Sequence, residues 1–234
     1  MAKVFLSAGH GGSDPGATSN GLYEKTINLN TLLACRDELI RHGLEVVCSR
    51  TKDEYDPVSQ EVKEANASGA DVAVSFHANA ASGKGDGFEA YYYGDNEKGK
   101  KLAQLCEKHI TAIGQNSRGV KSTKSLYFVK NTTMTAVLVE SFFVDNSNDR
   151  SIGDTTEKQK QLGVSYAKAI LEYFGVSYKN NETRLTSATD IAHELNKNYF
   201  PIYEMGNFIK ALDEAKRLSS PLYWGFYKLV NKCE

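Results

Sequence analysis

Residues 70–77 read ADVAVSFH and residues 135–144 read TAVLVESFFV. A strand with one face in water alternates polar and apolar residues. The near-continuous runs VAVSF and AVLV do not, so both faces must be covered, as in the parallel sheets of α/β proteins. Working outward, KVFLSA (3–8), LEVVCSR (44–50), GFEAYYY (87–93) and SLYFV (125–129) read as further strands. The segments between them have helical spacing. Ile27, Leu29, Leu32, Leu33, Leu39 and Ile40 mark a helix over 24–42 that Gly43 stops. Others are predicted at 57–68, with Pro57 in its first turn, at 96–113, and at 155–174 before Gly175. Strands alternating with helices of this length predict an α/β fold with a mainly parallel sheet flanked by helices.

After residue 175 the composition turns polar and aperiodic. Residues 176–186 read as a linker between a domain at 1–175 and a small all-helical C-terminal module at 187–234. In that module helices are expected at 188–198, 206–218 and 221–231, the last opened by Ser220–Pro221. Its aromatics, Trp224 among them, fit a small helical core, with stacking on sugar rings the other use open to them.

With 28 basic against 29 acidic residues the net charge is −1. No basic excess or stripe suits nucleic acid, and no Lys/Arg cluster suits an anionic membrane. The N-terminus MAKVFLSAGHGG lacks the long apolar region of a secretory signal, and no apolar run reaches the roughly 18 residues of a membrane span. The expectation is synthesis in the cytoplasm. Cys35, Cys48, Cys106 and Cys233 form no CxxC pair and are expected as free thiols.

Four residues carry chemistry. His10 follows the first strand, His77 ends the third, Glu24 opens the first helix and Glu140 sits inside TAVLVESFFV. Each alone has an ordinary explanation: a hydrogen-bonded strand-end histidine, a dipole-compensating glutamate, an edge residue. His10, His77 and Glu24 fall on the carboxyl edge of one sheet, where open α/β folds place their crevice. Two imidazoles and a carboxylate, with a fourth position open, are the ligand set of a catalytic zinc. A carboxylate in an apolar strand is costly unless a charged partner faces it, and beside such a metal it serves as a general base.

The stretches VFLSAGHGGSDPGA, GLYEK, ADVAVSFHANA, GFEAYYY, SRGVKS and TAVLVESFFVDNSND occur in this order across residues 4–149. They resemble the zinc-dependent N-acetylmuramoyl-L-alanine amidases of the amidase type 3 family. The resemblance implies a twisted sheet, zinc (Zn2+) on His10, Glu24 and His77, and Glu140 as catalytic acid/base. It also implies cleavage of the amide between N-acetylmuramic acid and L-alanine in peptidoglycan. Members without signal peptides resemble phage lysins or mother-cell lytic enzymes that reach the wall after release. In that setting 187–234 is a wall-targeting module or a homodimer contact. A zinc peptidase acting on the stem peptide and a silent wall-binding protein are the alternative readings. Two places depart from the family pattern. Glu61–Glu64 occupy a stretch where members often carry an arginine, and Phe142 stands where they often have glycine.

Overall fold

The computed structural model describes residues 1–179, Ala192, Leu195 and 205–217. These fall in two compact units, Met1–Tyr178 and Lys179–Glu234.

The first unit is built on six strands: β1 (Lys3–Ala8), β4 (Glu45–Cys48), β5 (Val72–Asn79), β6 (Phe88–Tyr93), β7 (Ser117–Thr123) and β8 (Thr135–Phe143). A two-residue pair, β2 (Thr18–Ser19) and β3 (Leu22–Tyr23), stands apart. The sheet order is β4-β1-β5-β8-β6-β7. All neighbours run parallel except β6 and β8. The expected mainly parallel α/β sheet is therefore present, with one reversal beside its most apolar strand.

The uninterrupted apolar runs are explained by two cores. Val4, Leu6, Val74, Phe76, Val137 and Val139 pack into one, with α1 (Glu24–Arg41), α3 (Glu97–Thr111) and α5 (Thr156–Tyr173). Their strand neighbours Phe5, Ala73, Ala136 and Leu138 point the other way. They meet α2 (Val58–Ser68) and α4 (Tyr127–Asn131). Successive strand residues thus bury on opposite faces, which is why apolar residues fill both sets of positions.

The helix ends follow local chemistry. Asn96 and Thr155 accept the N–H groups of Gly99 and Lys158 as side-chain caps. Pro57 is the cap residue of α2 rather than a first-turn residue.

One expected element is wrong. SLYFV is not a strand: Tyr127–Asn131 form α4. A five-residue apolar run has no period long enough to separate strand from helix. What it supplies is a hydrophobic lid, with Phe128 and Val129 buried in the second core. The strand lies earlier, at SRGVKST, where the sequence is polar because β7 is an edge with none of its positions fully buried.

In the second unit the helix expected at 206–218 runs Met205–Arg217 (α6), with Leu212 buried. Ala192 and Leu195 are helical and buried. The rest of 188–198, all of 221–231, Ser220–Pro221, Trp224 and Cys233 lie outside the described residues. Cys35, Cys48 and Cys106 are free thiols. Among the described residues no helix is long and apolar enough to cross a membrane.

Candidate metal centre

The loop after β1 turns sharply enough to put His10 in the left-handed region at φ 66°. Residues with a Cβ seldom adopt this conformation, and where they do it marks strain held by the surroundings. Two contacts hold it here. Gly11 and Asp14 exchange backbone hydrogen bonds of 2.9 Å, and the Asp14 carboxylate lies 2.8 Å from His10 Nδ1. The ring therefore presents Nε2 inward, and an outer carboxylate fixes its orientation.

Glu24 begins α1, and its carboxylate is buried at 4% exposure. Oε2 accepts from Ala17 N–H at 2.7 Å, and Oε1 accepts from Ala78 N–H at 3.1 Å. His10 Nε2 lies 3.2 Å from Oε2, and His77 Nδ1 lies 2.9 Å from Oε1. The two rings meet edge to face, 5.2 Å between centroids. One ligand atom from each of His10, Glu24 and His77 falls within 4.8 Å of the others. The strand-end placement read from the sequence brings these three together. Gly9 makes the approach feasible, because a Cβ there would sit 2.1 Å from His77 Cε1.

The electrostatics suit a cation. Burial pushes the Glu24 carboxyl up, but both histidines outweigh it and hold it well below the usual range. The hydrogen bond His10 donates to Glu24 raises its imidazole to about 9, with Asp14 adding to it against the opposing effect of burial. Burial lowers His77, but Glu24 and Glu140 win and the net shift is upward. The cradle draws protons onto its imidazoles, as a buried negative pocket does when it awaits positive charge. Two imidazole nitrogens and one carboxylate oxygen are also the donor types zinc takes. The residues present fit such an ion.

Glu140 is the register partner of His77 on one side and of Glu89 on the other. Its Oε2 is buried and has no hydrogen-bond partner among the described residues. The cationic neighbour that acts on it is His77, across the strand pair. Burial pushes this carboxyl up to about 7, with Glu24 and Glu89 adding to the effect against His77. The neighbouring acid is treated oppositely. Glu89 accepts from Arg118 Nε at 2.7 Å, from Lys121 Nζ at 2.5 Å and from Tyr91 Oη at 2.7 Å. Burial raises it, but these donors prevail and hold it at about 2.

Sequence reasoning missed three contributors. Asp14 was findable as a carboxylate four residues after His10. Glu89 with its two cations looks like an ordinary polar strand position. Arg50 is 2% exposed and donates to the carbonyls of Ala8 (2.9 Å), Gly9 (3.4 Å), Lys25 (2.7 Å) and Lys52 (3.2 Å). It ties the His10 loop to the start of α1, a role no motif announces.

Residues 4–172 match the family profile described as N-acetylmuramoyl-L-alanine amidase. The chain belongs to that family. A sporulation-specific N-acetylmuramoyl-L-alanine amidase of Bacillus subtilis (strain 168) is 36% identical over 180 residues, 75% of this chain and 69% of that protein. The endolysin of Bacillus phage SPP1 is 33% identical over 189 residues, 77% of this chain and 69% of the endolysin. Among solved structures, the catalytic domain of CwlV, an N-acetylmuramoyl-L-alanine amidase from Bacillus (Paenibacillus) polymyxa var. colistinus, is similar with a TM-score of 0.70. That likeness is at 34% identity over 76% of this chain and all of that domain. The span matched to the amidase family contains His10, Glu24, His77 and Glu140. Both departures from the family pattern have local accommodation. Phe142 fits because Gly153 leaves room for its ring, where a Cβ would lie 2.3 Å from Cε1. Glu61 is buried and accepts from Ser7 Oγ at 2.6 Å.

Proposed function

We propose that this amidase hydrolyses the bond between the lactyl group of N-acetylmuramic acid and the L-alanine of the peptidoglycan stem, with zinc on His10, Glu24 and His77. The observation that carries the reading is the His–Glu–His cradle beside the unpartnered, buried Glu140 Oε2. Zinc bound there supplies charge that lowers the pKa of water toward about 7 and polarises a carbonyl. The chain's own residues do the rest. Asp14 and the backbone N–H groups of Ala17 and Ala78 fix the ligand orientations. Glu140 accepts a proton at Oε2 as the water oxygen bonds to the amide carbon. It then delivers that proton to the leaving nitrogen as the C–N bond breaks. The products are a muramoyl carboxylate and a free alanine amine, so the step balances without further reagents. Glu89, ionised and clamped, keeps a fixed negative charge beside Glu140 that favours the protonated intermediate state of that acid.

We further propose that residues 1–175 suffice for this chemistry and that 176–186 link them to a C-terminal module which attaches to the wall or pairs two chains. The direct test is end-group analysis of digested peptidoglycan. New N-terminal alanine with no new glycan reducing ends supports the amidase reading. New amino groups only at other stem residues would replace it with the peptidase.

A further inference from the structure

Beside His10 and His77 a cleft opens whose far wall is Tyr55, Asp56, Val58 and Glu61. This wall is fastened to the His10 loop. Asp53 accepts from Gly12 N–H at 2.8 Å and from Lys25 Nζ at 2.7 Å. The loops touch so closely that a Cβ on Gly12 would come within 2.6 Å of Tyr55 N.

The wall has two kinds of surface. Tyr55 and Val58 are exposed at 59% and 44%, an apolar rim. Behind them Asp56 is nine-tenths buried, and its Oδ2 has no hydrogen-bond partner among the described residues. An acid just before a helix ordinarily caps it or stays in water. Asp56 does neither: Pro57 is the cap residue of α2, and no side chain caps that helix. The buried cation nearby, Arg50, directs its donors at backbone carbonyls. Glu61 adds a second buried carboxyl. Burial pushes Asp56 up to about 7, with Glu64 and Glu61 adding to it against Arg50. Arg50 offsets part of this charge while its donors go to backbone carbonyls, so a cation reaching Asp56 from the cleft would be stabilised there.

We propose that this wall is a subsite for a primary ammonium on an alkyl chain, the side chain of the diamino acid in a wall stem peptide, with Asp56 as its ionic partner. The inference rests on the amidase reading, which places the stem peptide at this cleft. Shape and charge agree. An alkyl stem lies along Tyr55 and Val58 while its ammonium reaches the carboxyl behind them, the amphipathic arrangement that lysine-like chains adopt. Glycan neighbours supply amides and hydroxyls, which give no reason for a buried carboxyl pair. This subsite would make the enzyme read the stem peptide by the free amine of its diamino residue.

The test uses the full chain and two peptides, L-Ala-γ-D-Glu-L-Lys and the same peptide acetylated on the lysine side chain. Calorimetry should find the free amine binding about tenfold or more tightly than the acetylated form, the scale of one charge-assisted hydrogen bond. In Asp56→Asn that difference should vanish. Amide NMR shifts of wild-type protein give a second reading independent of the variant's folding, with Asp56 and Val58 responding to the amine peptide but not to the acetylated one. Equal affinities, or a difference that survives in Asp56→Asn, overturns the subsite. End-group analysis separates the two readings. Selective amine binding without new N-terminal alanine leaves the subsite and removes the amidase. New alanine ends with no amine selectivity do the reverse.

Discussion

Glu24 sits between two imidazoles and accepts from two backbone N–H groups, so the cradle is organised by one carboxylate. Removing a ligand should be decisive. His77→Ala leaves two donors, too few for a catalytic zinc, and elemental analysis should find the protein metal-free; full occupancy would place the ion elsewhere. Glu140 is a different case, since the cradle does not need it. Glu140→Gln should retain metal and fold while activity on cell walls falls about 10²–10⁴-fold, the scale of a positioned acid–base group. A base works deprotonated, and burial lifts Glu140 to about 7. Wild-type kcat/KM should therefore decline as pH falls, with its acid limb at or below about 7 because a bound cation draws the value down. The residual activity of Glu140→Gln should lack that limb. The convergence of His10, Glu24 and His77 was legible in the sequence because strand ends and a helix start address one edge of the sheet, whereas Glu140 stood out as a carboxylate inside an apolar strand. Asp56 was not legible, since burial and the absence of a partner are properties of the folded loop.

Elements differ in how openly the sequence announces them. β5 and β8 are buried on both faces and therefore unmistakable. β7 is a polar edge and was unreadable, while α4 is too short to show a period. Besides its ladder to β6, β7 has an electrostatic tie: Arg118 and Lys121 reach back to Glu89 on β6. Glu89 has a folded value of about 2 against an ordinary 4.5. A depressed carboxyl stabilises the fold above its unfolded value and loses that contribution as pH falls toward the folded one. Glu89→Gln should therefore lower the melting temperature at pH 7, and the gap to wild type should close between about pH 4.5 and 2. A gap independent of pH would mean the loss is packing. Phe142 offers a steric counterpart. Gly153→Ala should cost about 1–3 kcal/mol by crowding that ring. In a Phe142→Ala background, itself destabilised by the lost core ring, denaturant melts should show a smaller further cost for Gly153→Ala, and additive losses would show that the two sites are independent.

At the scale of the molecule the first unit ends at Tyr178, slightly beyond the boundary at 175 read from composition. Tyr178 stacks on His42 at 4.9 Å between centroids, with Lys168 Nζ 4.8 Å from its own ring centre. A 1–178 fragment should be soluble, bind metal and melt above a 1–175 fragment, measured by calorimetry on both. Insolubility of the longer fragment would make the second unit part of the catalytic fold. The sheet order has a further consequence for how this chain comes into being. β1 pairs with β5, whose residues lie 68 positions later, and β5 pairs with β8, 63 positions later still. Such distant pairings make folding slow, because loops must close before contacts reward them. The cradle draws on β1, α1 and β5, while Glu140 arrives only with β8. A nascent chain still short of residue 135 thus lacks both the strand that closes the middle of the sheet and Glu140. On the proposed mechanism the cradle and Glu140 can act together only once β8 has been made, after every other strand of the sheet.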